Sequence, residues 1–285
     1  MKLPARRLKL SLINLELISF KIAFTLCALS TSGFLLSLLI KKIKLAKFST
    51  WILAGAFGCL TVNLLFVVIN SAGLINLGSR DFFSFCAWSV SGAYLALQFK
   101  TKTRSLGAFI SPFILLFMIA AAGQDAGKSL LPQNLQSWLI TVHLFLTIVG
   151  DALFILASCA GAMFIIQNRL LKHKKLSRMS RLLPSLNDLD RINHICLLWG
   201  FPVLTLGIFA GAVFAGFNWK IGWLTDPKII WTFAGWIIYG FLLHQRLAIN
   251  WRGYRMAVFS FAAFILLLLS YESVRLCFST LHNFV

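Results

Sequence analysis

The sequence predicts an all-α, polytopic membrane bundle of about eight transmembrane helices, and three observations predict it. Hydrophobic residues make up 59% of the chain and charged residues only 12%, where a soluble domain carries about a quarter. Apolar runs of roughly 18–25 residues, each long enough to cross a ~30 Å hydrocarbon core, recur from one end of the chain to the other. These runs lack the two-residue alternation of barrel strands, so helices are what satisfies their backbone groups in lipid. No room remains for a separate soluble domain.

The first span, near Phe20–Ile40, follows a basic flank like that of a secretory signal, yet it is long and lacks a small-x-small cleavage site, so it reads as a retained helix. Trp51–Gly73, Phe82–Phe99 and Leu106–Ala122 are the second to fourth spans. Trp138–Ile166, the fifth, carries His143 near one end and Asp151 about two turns further in. A carboxylate at that depth is costly unless protonated or paired, which makes Asp151 a functional-site candidate. Residues 168–193 are the long polar segment and divide a five-helix part, 1–167, from a three-helix part, 194–285. In this connector Asn187 or Asp188 stands where a short polar side chain can N-cap the next helix. The connector reads as a topology anchor or as a docking site for a cytoplasmic partner.

The sixth span, Ile195–Phe217, contains Pro202, which predicts a kink. Its Gly207-x-x-x-Gly211, followed by Gly216, lets a neighbouring helix or a flat cofactor approach closely. A tryptophan-rich loop, 218–231, leads to the seventh span, Ile229–Leu247, and the eighth, Met256–Cys277, completes the set. Glu272 and Arg275 in the last span lie three apart, within pairing reach on one helix face. The six cysteines fall in or beside apolar spans with no CxxC pair, so they read as buried small side chains and not as a disulfide framework or zinc site.

The net charge of +19 suggests nucleic acid at first sight, but the basic residues sit in short loops and not on one face of a domain. Lys41–Lys47, Lys100–Arg104, Arg169–Arg191 and Arg246–Arg255 are alternate loops that together hold seventeen basic residues. By the positive-inside rule they face the cytoplasm, while the loops around Arg80, Lys128 and Lys220–Lys228, and both chain ends, face outward. The basic stretch Met1–Lys9 then lies outside, either as a surface-lying amphipathic segment or as a sign that the first half holds a different span count.

This topology gathers three distant features on the outer face. His143 lies near the outer end of the fifth span and His282 just beyond the eighth. Between them comes the loop Trp219-Lys-Ile-Gly-Trp223-Leu-Thr-Asp226-Pro227-Lys228-Ile-Ile-Trp231. Two imidazoles can supply both axial positions of haem iron, and aromatic side chains can stack on a flat macrocycle, so the three form a candidate haem platform. An aromatic belt with interfacial histidines is the alternative.

At these residues the chain resembles the cytochrome c assembly protein family, the membrane haem-handling proteins that include CcsA (ResC) and HemX-like members. The resemblance runs from about Ser79 to the C terminus. The family signature W-G-x-x-W-x-W-D-P-K-E-x-W is matched at Trp219, Trp223, Asp226, Pro227, Lys228 and Trp231. The segment Leu-Gln-Ser-Trp138-Leu-Ile-Thr-Val-His143 is similar to the one carrying the family's first outer histidine. The run Gly200-Phe-Pro-x-Leu-Thr-x-Gly207-Ile-x-x-Gly211-Ala is similar to the helix before the loop, Leu-His244-Gln-Arg246 to its LHxR element, and Thr-Leu-His282 to its terminal histidine.

The resemblance implies that His143 and His282 ligate haem iron, with Trp219, Trp223, Asp226, Pro227 and Trp231 as the platform. It implies a multi-pass protein of a bacterial inner membrane that holds haem for delivery to apocytochrome c, beside a synthase partner subunit. On this reading the chain is a haem-handling subunit with no catalytic residue of its own. The family's synthases have a second histidine pair within the membrane. His244 matches one member, while the other aligns near Gly73, where this chain has no histidine. The signature's glycine is Lys220, one tryptophan is Thr225, the glutamate is Ile229, and a last-helix asparagine is replaced by Arg275, which could bind a haem propionate through its forked donors. These departures make HemX-like members and divergent synthase subunits the better analogues.

His244 and Arg246 read equally as a snorkelling interfacial pair or as part of a haem-related site. His173 reads as a solvated loop residue and His194 as interfacial. Two further functions stay open: a HemX-like regulator acting on a cytoplasmic tetrapyrrole-pathway enzyme, and a transporter whose Asp151, Glu272 and Arg275 line a pathway. No paired nucleophile or glycine-rich phosphate loop suggests a hydrolase.

Overall fold

The computed structural model describes residues 3–70, 78–101, 103–124, 138–173, 183–218 and 225–277, with side chains described over 14–69, 78–99, 101, 103–124, 138–173, 183–218 and 225–269. These residues form eight α-helices and one short 3-10 turn: α1 Leu3–Ile40, α2 Ile43–Asn70, α3 Ser79–Thr101, the turn Arg104–Leu106, α4 Gly107–Ala122, α5 Trp138–Lys172, α6 Leu186–Asn218, α7 Pro227–Leu247 and α8 Tyr254–Cys277. Each of the eight expected spans corresponds to one helix. Among the described residues six helices, α1 to α6, contain segments long and apolar enough to cross a membrane. Helices α7 and α8, of 21 and 24 residues, are about 31 and 36 Å long at 1.5 Å per residue. The protein is an all-α, multi-pass membrane bundle.

The helix boundaries follow from local chemistry. Helix α1 runs unbroken from Leu3, so its basic start belongs to the same helix as the first span. It ends where Lys41 adopts φ 60° and the Lys42 N–H donates to Ser37 O at 3.2 Å. This left-handed closure satisfies an orphan carbonyl and turns the chain into α2 within two residues. Helix α6 is capped two or three residues earlier than expected. Ser185 Oγ accepts from Asp188 N–H at 3.1 Å and donates to Asp188 Oδ2 at 2.6 Å. The N-cap is therefore Ser185, whose hydroxyl takes the Asp188 N–H and is itself held by the Asp188 carboxylate, because the chain enters helical geometry already at Leu186. With α5 reaching Lys172, only residues 173–185 separate the two long helices. Helix α6 continues through Pro202 without a break.

Glycines set the central α5–α6 contact. A Cβ on Gly207 would meet Thr147 Cγ2 at 2.8 Å, one on Gly200 would meet the Phe154 ring at 2.9 Å, and one on Gly150 would meet Leu204 Cβ at 3.0 Å. Small residues here let two helices approach closely, which is the first of the two uses expected of the glycine spacing. Helix α7 joins this pair through Tyr239 stacked on Phe154 at 3.6 Å between centroids, and through Trp236 Nε1–H donating to Thr205 Oγ1 at 2.9 Å. Helix α8 is tied in by buried Asn193, whose amide donates to Ala157 O and to Ser260 Oγ. In the first half, Thr31 Oγ1 donates to Ser111 O, linking α1 to α4. Of the five cysteines described, four are buried and Cys59 is partly so.

The four basic loops meet at one end of the bundle. Lys42, Arg104 and Asp188 line a common pocket, Arg246 pairs with Asp190, and the Lys172 ammonium lies 5.7 Å from the Tyr254 ring centroid. At the opposite end of α1 to α3, Arg80 is buried against Glu16 and the Phe20 ring, with Asp81 3.8 Å away. Asn63 Nδ2 donates to Glu16 O at 3.0 Å in the same cluster.

Candidate functional site

His143 stands in the second turn of α5, on the side facing α6. Its Nδ1 lies 2.8 Å from the carbonyl oxygen of Gly207. A carbonyl only accepts, so the ring proton sits on Nδ1, which donates, and the lone pair is left on Nε2. The ring rests on bare backbone: a Cβ on Gly211 would stand 2.5 Å from Nδ1 and 2.7 Å from Cε1. Gly207 thus supplies the acceptor and Gly211 the space, and α6 forms a flat seat for a half-buried imidazole. Metal-ligating histidines are held in this way, with one nitrogen fixed by a carbonyl and the other presented to the metal. In tautomer, His143 fits a metal ligand.

The signature's Asp-Pro-Lys has a structural role visible here. Asp226, 5% exposed, is the N-cap of α7 and its Oδ1 accepts from Lys228 N–H at 2.9 Å, while Pro227 occupies the first helical turn. Proline suits that place because its missing N–H would have no partner there. Trp231 follows one turn later and is 41% exposed. Trp219, Trp223, His282 and Gly73 lie outside the described residues, as do the side chains of Glu272 and Arg275.

His244 and Arg246 are not a snorkelling pair. His244 is exposed, whereas Arg246 is buried and holds Asp190 through two bonds of 2.8 and 2.7 Å. Arg246 Nη1 also donates to Trp251 O at 3.1 Å, and Asp190 Oδ1 accepts from Gly253 N–H at 2.8 Å. Gly253 has φ 66°, a conformation that favours glycine. A forked guanidinium matched by a carboxylate and a carbonyl has no need of the interface, and positions two apart on a helix point in different directions. His194 is partly buried with its Nδ1 unpartnered, and His173 is exposed in the turn after α5. Asp151 keeps an accessible side chain, close to Cys86 of α3 and Tyr239 of α7, and makes no hydrogen bond or ion pair among the described residues.

Two clusters escaped sequence reasoning, Glu16–Arg80–Asp81 and Asp190–Arg246. A signal existed. With only eight acidic residues against 27 basic ones, each acid near a span is worth a search for its cation.

The cytochrome C assembly protein family model matches residues 76–282, an interval that includes His143, the tryptophan loop and His282. Among curated proteins, the cytochrome c biogenesis protein CcsA of Guillardia theta is 26% identical over 291 residues, covering 93% of this chain and 95% of the relative. That of Chlamydomonas reinhardtii is 30% identical over 243 residues, covering 82% and 67%. That of Synechocystis is 22% identical over 338 residues, covering 96% and 99%. With most of its length matched in one helical membrane architecture, the chain belongs to the cytochrome c assembly protein family.

Proposed function

We propose that this chain binds haem for cytochrome c biogenesis, with His143 and His282 as iron ligands beside the Trp219–Trp231 loop. The observation that supports this most is the Nδ1 bond of His143 to Gly207 O, which leaves Nε2 as the coordinating nitrogen. His143 and His282 would hold haem through their imidazole nitrogens, and the haem would supply the group that cytochrome c biogenesis delivers. The chain's own residues do the rest: Gly207 orients His143, Gly211 gives the ring its seat, and Asp226 with Pro227 begins the helix that follows the loop.

In this reading the lysine-rich end faces the cytoplasm of a bacterial inner membrane and His143 faces outward, because basic loops are retained inside. Residues 168–193 then connect a five-helix part to the three-helix part that bears the loop. Apocytochrome c and a synthase partner subunit are the expected associates. The relatives carry names of c-type cytochrome biogenesis, which favours this role over the regulator and transporter readings.

The test is an absorption spectrum of the solubilised protein. Wild type is expected to show low-spin haem bands, and the His143→Ala/His282→Ala double variant to lose them. A wild-type protein that takes up no low-spin haem, or a double variant that keeps it all, overturns the ligand assignment.

A further inference from the structure

A pocket of about 220 Å³, part polar and part apolar, opens at the lysine-rich end, where α1 turns into α2 and the segment after α3 passes the start of α6. At about 30 Å³ per water, it has room for a phosphate-sized group with several waters. Lys42 and Arg104 line it, and neither has an ion-pair partner among the described residues. The lining hydroxyls are mostly committed: Ser37 donates to Phe34 O at 2.6 Å, Thr101 donates to Leu97 O at 2.9 Å, and Thr103 lies 2.8 Å from the Thr101 oxygen. The side-chain donors left for a guest are therefore the two cations and the Ser105 hydroxyl. The one lining carboxylate, Asp188, is held by Ser185 Oγ at 2.6 Å. A guest that only accepts hydrogen bonds and carries negative charge suits this set, and a phosphate ester is such a guest.

The surroundings decide its source. Ile43 lines the pocket yet is 54% exposed, and Leu39 and Ile40 beside it are 77% and 49% exposed. Apolar surface on a membrane-spanning helix thus continues directly from the cationic pocket, which matches a headgroup joined to acyl chains. Basic pockets between membrane helices bind anionic headgroups in this way. We propose that the pocket binds the phosphodiester headgroup of an acidic phospholipid, with Lys42 and Arg104 as its charge partners. The site is separate from the histidines and independent of haem.

The test is native mass spectrometry of the full-length protein in detergent, titrated with phosphatidylglycerol, with phosphatidylcholine of the same acyl chains, and with inorganic phosphate. Phosphatidylglycerol is expected to bind in preference to phosphatidylcholine, and Lys42→Gln/Arg104→Gln to weaken it about thirty-fold. Lys44→Gln/Lys47→Gln removes two exposed cations from the same end without touching the pocket lining, and should lose at least about fivefold less affinity. Should the first double variant fail to fold, Ser105→Glu sets an opposing charge in the pocket with both cations in place and is expected to lose the same preference. Equal binding of the two lipids, equal loss in both double variants, or displacement of phosphatidylglycerol by inorganic phosphate at matching affinity overturns the lipid assignment.

Discussion

Alanine at Gly211 would put a methyl carbon 2.5 Å from His143 Nδ1 and 2.7 Å from Cε1, closer than a carbon can sit to either atom. The ring cannot stay and keep its 2.8 Å bond to Gly207 O. Losing that bond costs about 0.5–1.5 kcal/mol, and overpacking a tight contact costs about 1–3 kcal/mol. Alanine returns ~1 kcal/mol through helix propensity, which leaves a net loss of roughly 0.5–3.5 kcal/mol. Haem binding should suffer as well, since removing the partner that orients a metal-bound histidine lowers affinity about 10- to 100-fold. Gly216→Ala is the internal control, because a Cβ there meets nothing within 4 Å. The assays are thermal unfolding in detergent and absorbance titration with haem. If Gly211→Ala matches Gly216→Ala in both stability and haem affinity, the seat assigned to His143 is wrong.

Asp190→Ala strips a buried guanidinium of its carboxylate and should destabilise the protein by about 3–5 kcal/mol, whereas Asp190→Leu/Arg246→Met should lose much less. A double-mutant cycle read by chemical unfolding checks this, and an additive cycle would refute the coupling. Asp226→Ala should cost about 1 kcal/mol through loss of the N-cap, and Asp226→Asn should restore most of it, since asparagine caps equally well. If the asparagine variant unfolds as early as the alanine variant, capping is not what Asp226 does.

Much of the fold is legible because a membrane span is a local property. A hydrophobic run of sufficient length must be a helix in lipid wherever it falls in the chain, so eight runs correspond to eight helices. The charge pattern was equally local in origin, and the four basic loops do share one end of the bundle. What failed to be read locally was the chemistry of single residues. The N-cap of α6 lies two or three positions before the expected one because Ser185, and not Asn187 or Asp188, sits where the backbone first turns helical. Arg246 looked like an interfacial cation because its partner, Asp190, lies 56 residues away in sequence.

By itself, then, the sequence determined the helix set, the clustering of basic loops and His143 as a ligand candidate, since each depends on runs, spacings and residue types along one stretch of chain. Only the tertiary structure decided how His143 is held. Its acceptor, Gly207, is 64 residues distant, and the glycine spacing of α6 is compatible with a helix, a cofactor or an imidazole until the packing of α5 selects among them. Which bare backbone a side chain rests on is a property of two packed surfaces, and no single segment contains it.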